Sequence, residues 1–364
     1  MCAEFPPAGG VGTVMLRLCN EARTADCAVT AITEECDLTP FPTLRALITA
    51  VPKTLGPFAL LPEVVRHLRT QRYAVVIAND VKATFTIGLI AAWWPALLKG
   101  VHIATILHGS EYERFIYRPK HLRALIYPRA YRRGIERSDA LFFFGHRIRR
   151  RTHLQNRRLG LGAPPEVLLQ FPRTSSSART PRSVSEARPL RIVTAARLDL
   201  MKGFPDMIEA LTQLRAGGTP FHWHVYGSGK DADEITARVN GSPIAGLSTF
   251  HGFVPSDALL AAYANMDVFL LPSLYREGFG LAWLEARDAG LPVIGRPRGE
   301  LPYLIDENDG LLSESPAEIA SYLAALARGQ ITASTEARPE SDPSQPVSLL
   351  EQVITQTPTS RPRT

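Results

Sequence analysis

The stretch from residue 268 to residue 294, VFLLPSLYREGFGLAWLEARDAGLPVI, limits the possible folds of this chain more than any other. An apolar strand over 268–271 runs into Pro272-Ser273 and a short loop that ends at Glu277. Gly278-Phe279-Gly280 follow, and then a helical pattern in which Leu281, Leu284 and Ala289 share one face. Gly290 and Pro292 stop that helix, and Val293-Ile294 begins another buried strand. Strand, glycine turn, helix and strand make one α/β unit, and ligands of open α/β sheets gather at the carboxyl edge where its loop lies.

Two glutamates sharpen the pattern. Glu277 lies just before the glycine turn, and Glu285 lies two turns into the helix. A carboxylate repels phosphate, so both suit the acceptance of hydrogen bonds from sugar or ribose hydroxyls. The plainer alternative is a dipole partner at a helix N-terminus for Glu277 and a solvated helix charge for Glu285. The glycines between them let backbone N–H groups approach an anion closely.

A chain of 364 residues, 45% hydrophobic and 21% charged, predicts two globular domains, each with its own core. Tyr73 to Ala78, 101–107 and 140–144 read as buried strands in the first half, alternating with helical segments. Residues 172–189 are rich in Ser, Arg and Pro and read as a linker, which places the first domain at 1–172. Strands are then expected over 190–195, 221–226 and 249–253, with helices over 205–214 and 257–264, giving a second domain at 190–330. The Pro/Ser/Thr-rich tail, 331–364, has one segment able to form a helix, 347–354. At the N-terminus about four residues precede the turn Pro6-Pro7-Ala8-Gly9-Gly10, where a strand of about four to eight is expected. Either the first strand is truncated or the true start lies upstream.

The net charge of +6 is unevenly spread. From Arg114 to Arg158, fourteen Lys or Arg stand against Glu136 and Asp139. Such a field implies an anionic partner. Anionic lipid fits, with Phe115, Tyr117 and Tyr131 as interfacial anchors and peripheral attachment to the inner face of the cytoplasmic membrane. A solvated, solubilising face is the alternative. Nucleic acid fits poorly, because no RNA-binding motif or stacking pattern accompanies the charge. The longest uncharged run, 83–98, is 16 residues and falls short of the ~20 that span a bilayer, so it reads as a buried strand–helix segment. Cys2, Cys19, Cys27 and Cys36 form no CxxC pair, and no signal peptide is visible. A cytoplasmic location with reduced thiols is expected.

Several catalytic signatures are missing. There is no G-x-S-x-G elbow and no P-loop, and Gly227-Ser228-Gly229 does not complete a nicotinamide fingerprint. Asp231-Ala232-Asp233 has the DxD spacing of metal-dependent sugar transferases, yet it opens a helix, where acidic residues need no metal to explain them. No metal and no cofactor are expected. Arg197, after a strand end, and Lys202, before a helix, suit a diphosphate. His108 closes an apolar strand at a glycine turn and would face a cleft, or else bond to local backbone.

Taken together, TAARLDLMKGFPDMIEAL, HVYGSG, HGFVPSDALLAAYANMDVFLLPS and REGFGLAWLEARDAGLPVIG resemble the retaining glycosyltransferase family 4 of the GT-B fold. EFPPAGGVGTVMLRL, HIATILHGSEYER and RSDALFFFGHRIRR extend the likeness more loosely into the first half. The resemblance implies two Rossmann-like, doubly wound α/β domains facing each other across a cleft. It implies a UDP- or GDP-type nucleotide-sugar donor, a glycan or lipid-linked acceptor, and a role in cell-envelope or exopolysaccharide synthesis. Arg197 and Lys202 would hold the diphosphate, Glu285 the ribose and Glu277 the sugar. The backbone of Gly278, Phe279, Gly280 and Leu281 would cover sugar and diphosphate, and that of Phe253-Val254 the base. His108 would lie beside the transferred sugar, and Gly10 near diphosphate or acceptor. Competing readings are a nucleotide-sugar epimerase or phosphorylase-like enzyme, and a truncated, inactive relative that binds nucleotide or membrane.

Overall fold

A computed structural model describes residues 10–34, 48–51, 58–109, 123–162, 164–169, 188–278, 280–331 and 348–358. The chain divides into two compact units, residues 1–172 with 347–364, and residues 173–346.

The first unit contains α1 (Gly10–Thr24), β1 (Ala31–Glu34), β2 (Ile48–Val51), α2 (Leu61–Thr70), β3 (Val75–Ala78) and α3 (Val81–Trp93). It continues with β4 (His102–Leu107), α4 (Arg123–Arg137), β5 (Ala140–Phe143), α5 (His146–Arg158) and β6 (Glu166–Leu168). Strands β3, β4, β5 and β6 lie side by side in that order, all parallel, and β1 pairs with β2. All four residues of β5 and five of six in β4 are buried, as in parallel sheets covered on both faces.

The uncharged run 83–98 corrects one expectation. It is most of α3 plus a single 3-10 turn, Pro95–Leu98, and includes no strand. A continuous apolar run cannot by itself distinguish a buried strand from a buried helix. Asp80 decides for helix here, because its carboxylate accepts from the Ala83 N–H at 2.7 Å and caps α3. All eight residues from Ala83 to Ile90 are buried. Helix α3 meets α4 at two glycines. A Cβ on Gly88 would stand 1.6 Å from the Ala130 carbonyl oxygen, and one on Gly134 would stand 2.1 Å from that of Thr84. Backbone therefore packs directly on backbone, and no larger residue fits at either position.

The second unit contains β7 (Leu190–Ala195), α6 (Phe204–Ala216), β8 (Phe221–Tyr226), α7 (Ala232–Asn240), β9 (Ser248–Gly252), α8 (Ser256–Tyr263) and β10 (Val268–Leu270). After these come α9 (Leu281–Asp288), β11 (Val293–Gly295), α10 (Leu301–Leu304), β12 (Gly310–Leu312) and α11 (Pro316–Ala327). Its six parallel strands are ordered β12-β11-β10-β7-β8-β9. The chain winds outward from β7 through β8 to β9, then returns to β10 on the other side of β7. The carboxyl ends of β7 and β10 thus form the topological switch point of a doubly wound sheet. One face of α9 is set differently from the expected one. Trp283, Leu284 and Ala286 are its buried residues, while Leu281 and Ala289 are half-buried. Trp283 directs this, packing edge-on to Phe269 and donating its indole N–H to the Ile294 carbonyl at 3.3 Å.

The tail returns to the first unit. Helix α12 (Leu349–Thr355) is tied to α1 by the Glu21 carboxylate, which accepts from the Ser348 hydroxyl and the Leu350 N–H, each at 2.8 Å.

Strand β8 alternates. Phe221, Trp223 and Val225 enter the core, while His222, His224 and Tyr226 face the other way, beside His251 of β9. His251 stacks on Tyr226 at 4.3 Å, and its Nε2 lies 3.1 Å from His224 Nδ1. Burial, then His222, His251 and Arg191, push His224 down to about 4.

Two predictions follow from these contacts. Gly88→Ala should lower unfolding free energy by about 3 kcal/mol or more in chemical denaturation. Gly162→Ala, where the new methyl meets nothing within 4 Å, should leave it nearly unchanged. The folded pKa of His224 lies below its unfolded value of about 6.5, so protons bind the unfolded chain first. Its contribution to stability is complete above that pH and falls as pH drops toward 4. The melting temperature of His224→Asn should therefore fall less between pH 7 and pH 5 than that of the parent chain.

Candidate functional site

In the second unit the loop after β7 and the loop after β10 are joined by four contacts. Gly203 adopts φ +86°, and a Cβ there would lie 2.2 Å from the Pro272 carbonyl oxygen. The Leu274 N–H donates to the Met201 carbonyl at 2.8 Å, and the Tyr275 hydroxyl donates to Asp199 Oδ2 at 2.9 Å. Lys202 Nζ donates to Glu277 Oε1 at 2.8 Å. Lys202 and Glu277 are thus brought together at the switch point, and Arg197 lies on the same loop as Lys202. Arg197 Nη2 stands 3.6 Å from Asp199 Oδ2 with its side chain 46% exposed, whereas Lys202 and Glu277 are 16% and 18% exposed. An ion pair this sheltered is stronger than a surface pair.

Among the described residues, the side-chain partners of the Glu277 carboxylate converge on one oxygen. Ser273 Oγ donates to Oε1 at 2.6 Å, as does Lys202, so among the described residues no donor is bonded to Oε2. That oxygen can accept a hydroxyl. The backbone of Glu277 is held from behind, where a Cβ on Gly299 would lie 2.3 Å from its carbonyl oxygen, and where Glu300 N–H donates to that oxygen at 3.1 Å. Arg296 braces the same corner, pairing with Asp206 of α6 and donating to the Pro272 carbonyl at 3.3 Å.

Gly278 precedes the N-terminus of α9 and Phe279 lies outside the described residues. Gly280 caps the helix with φ +75°, and Leu281 begins it, with no acidic residue in the first turn. The first N–H groups of α9 thus carry the positive end of a helix dipole. Glu285, on the second turn, is half-buried and close enough to the buried Tyr263 hydroxyl to raise its pKa further, after burial has raised it most. Phe253 and Val254 follow β9 at Gly252, and the Phe253 side chain is 47% exposed.

Asp199, Tyr275, Ser273, Asp206, Arg296 and Gly299 were not singled out by the sequence. Burial raises the Asp199 carboxyl, but the Met201 N–H, the Tyr275 hydroxyl, and the Lys230 and Arg197 charges together hold it below its ordinary value. Asp199 sits two residues from Arg197, which is the one local signal it carried. The DxD segment has its own use. Asp231 Oδ2 accepts from the Leu200 N–H at 2.9 Å, fixing the loop that carries Lys202, while Asp233 and Glu234 lie in the first turn of α7.

In the first unit Gly10 begins α1, and His108 follows β4. His108 Nε2 lies 3.0 Å from Asn79 Oδ1, and the ring is 5.8 Å from that of Phe144. Burial pushes its pKa down to about 4, against a weaker upward pull from the Asn79 backbone, so the imidazole is neutral at physiological pH.

The basic stretch needs one correction. Tyr131 is fully buried beside Leu107 and Ile135 in the core and cannot anchor in a membrane, while Phe115 and Tyr117 lie outside the described residues. Among the described residues of this region, Ile126 and Leu154 are exposed large apolar side chains, and Arg129, Arg133, Arg150, Arg157 and Arg158 are exposed too. No helix among the described residues is long and apolar enough to cross a membrane.

Sequence models of two families match this chain. That described as Glycosyltransferase Family 4 covers residues 8–157, and that described as Glycosyl transferases group 1 covers residues 179–337. WcaL of Salmonella typhimurium, named for colanic acid biosynthesis, is 31% identical over 178 residues, which are 46% of this chain and 44% of that protein. The amylovoran biosynthesis glycosyltransferase AmsK of Erwinia amylovora is 31% identical over 151 residues, 39% of this chain and 37% of its own. The matches thus span less than half the length of these curated relatives. The crystal structure of HepE from Anabaena with UDP and glucose superposes with a TM-score of 0.71 at 18% identity, over 98% of this chain and 97% of that one. With both family models matched along two parallel α/β units, the chain belongs to glycosyltransferase family 4 and has the GT-B fold.

Proposed function

We propose that the protein transfers a sugar from a nucleoside-diphosphate-sugar donor to a glycan or lipid-linked acceptor in exopolysaccharide or cell-envelope synthesis. The observation that carries this reading is the Lys202–Glu277 pair, which joins the two loops of the sheet's switch point and leaves Glu277 Oε2 for a hydroxyl. The names of WcaL and AmsK support the setting, and the UDP bound to HepE supports a uridine donor.

In this reading Arg197 and Lys202 stabilise charge on the departing diphosphate, with the N–H groups at the start of α9 beside them. Protein cations then do what a metal does in other transferases. The bond from the anomeric carbon to the β-phosphate oxygen breaks as the acceptor oxygen bonds to that carbon from the same face, which retains configuration. The acceptor's proton passes to the departing diphosphate. Glu277 Oε2 orients the transferred sugar, Glu285 holds the ribose, and Phe253-Val254 border the base. Neutral His108 offers the sugar a hydrogen-bonding group without charge.

A peripheral membrane role accompanies this. Arg132 of α4 donates to the Leu159 carbonyl at the end of α5 at 3.0 Å, so the two basic helices lie together. Their exposed arginines, with Ile126 and Leu154, suit anionic lipid.

Four outcomes are expected. UDP at about a hundredfold its Kd should add about 2.7 kcal/mol of stability, equally with or without magnesium, and GDP should add less. Lys202→Ala should lower kcat/KM by about 10²- to 10³-fold. Lys202→Met combined with Glu277→Gln should recover the stability lost in the single variant but not its activity. Full activity in Lys202→Ala would refute the phosphate role. Finally, sedimentation with vesicles containing anionic lipid should be strong at low salt and weaken steeply as salt rises, and its absence at low salt would remove the membrane reading.

A further inference from the structure

Strands β3 and β4 are parallel neighbours, paired from Val75 with His102 through Ala78 with Thr105. The residue that follows β3 is Asn79 and the residue that follows β4 is His108, so both lie at one carboxyl edge. Asn79 is 1% exposed, and both ends of its side-chain amide are engaged. Nδ2 lies 2.9 Å from the Val11 carbonyl oxygen in the first turn of α1, and Oδ1 lies 3.0 Å from His108 Nε2.

Donor and acceptor roles fix the orientation of every group in this chain of contacts. A backbone carbonyl only accepts, so the amide nitrogen of Asn79 must face Val11. Its oxygen then faces His108, and an amide oxygen also only accepts. His108 Nε2 must therefore carry a hydrogen. A neutral imidazole has one N–H, so Nδ1 is the unprotonated nitrogen.

We propose that Asn79 is a positioning residue that holds His108 as its Nε2–H tautomer and ties that ring to the backbone of α1 at Val11. The ring's lone pair is thereby assigned to Nδ1, and its plane is set by a contact that originates at the glycine-rich start of α1. The catalytic consequence rests on the reading above that places His108 beside the transferred sugar. A mispositioned or doubly protonated ring would present a cation or the wrong nitrogen to that sugar. Asp80, next in the chain after Asn79, caps α3, and the ring of Phe144 lies 5.8 Å from that of His108.

The test is long-range proton–nitrogen NMR on the full-length protein with labelled histidine, with His108 assigned by the His108→Gln variant. The parent protein should show His108 as Nε2–H, unchanged between pH 5 and pH 8. In Asn79→Asp a carboxylate replaces the amide, and His108 should titrate inside that window, with kcat acquiring a matching pH dependence. Asn79→Ala should give mixed tautomers and a kcat lowered about tenfold, with the donor KM changed less. A role confined to folding would move neither the titration nor the pH profile. An Nδ1–H tautomer in the parent protein, which needs no variant to fold, would overturn the proposal, as would an unshifted titration in Asn79→Asp. The expected tautomer and titration together with undiminished kcat in Asn79→Ala would overturn the positioning role. If His108→Gln is then also fully active, the placement of His108 at the sugar falls, while the donor site in the second unit is still judged by the Lys202 variants.

Discussion

Backbone contact between the β7–α6 and β10–α9 loops is the constraint on which the second unit's site depends. The two loops emerge from neighbouring strands whose connections run to opposite sides of the sheet, and such a junction normally leaves a crevice. Here the crevice floor is closed, because Gly203 has no Cβ to hold it away from the Pro272 carbonyl. Leu274 N–H and the Met201 carbonyl then bond across the gap, and Tyr275 reaches the buried Asp199. Lys202 and Glu277 meet as a result of that closure. Their 2.8 Å contact needs both backbones fixed to within a fraction of an ångström, and Gly299 and Arg296 fix the Glu277 side from behind.

The first unit solves the same problem by other means. Its sheet edge is set by the parallel register of β3 and β4, which brings Asn79 and His108 level and joins them by a hydrogen bond. Helices α3 and α4 must lie close enough for that register to be covered. Gly88 and Gly134 permit the approach, at the cost of the larger backbone entropy a glycine loses on folding. A neutral hydrogen-bonded relay and a charged pair thus sit at the carboxyl edges of the two sheets. The difference suits the proposed function, in which a diphosphate asks for cations and a sugar hydroxyl does not.

Much of this was legible in the sequence because it follows from local pattern. Strands β7 and β8 were read to the residue, since each is a six-residue segment rich in apolar and β-branched or aromatic residues and followed by turn chemistry. Arg197, Lys202 and Glu277 stood out as charges at strand ends or helix starts. Asp199, Tyr275 and Arg296 did not, because each acts on a residue far along the chain: Tyr275 bonds Asp199, 76 positions away, and Arg296 bonds Asp206, 90 positions away. Asn79 was passed over for the same reason, being one of two polar residues closing a strand and indistinguishable there from a turn. The run 83–98 was misread as part strand because burial on all sides erases the helical period. Tyr131 was misread because aromatic residues within a basic helix look alike whether they face lipid or core, and only the fold assigns the face.

The pairing of Lys202 with Glu277 bears on how one pocket can hold both an anion and a carboxylate. A lone carboxylate beside a diphosphate would repel it, and a lone ammonium in a sheltered loop would carry a desolvation cost. Joined, each offsets the other's cost before any ligand arrives. Ammonium has three protons, and Glu277 takes one of them, so two directions are open in chemical principle to phosphate oxygens. The carboxylate for its part receives Lys202 and Ser273 on Oε1 and keeps Oε2 in reserve. Its charge is shared with those two donors, which in the proposed reading weakens repulsion toward the diphosphate while leaving a directional acceptor for a sugar hydroxyl. In the proposed reading, the ion pair holds each group toward the part of the donor it suits.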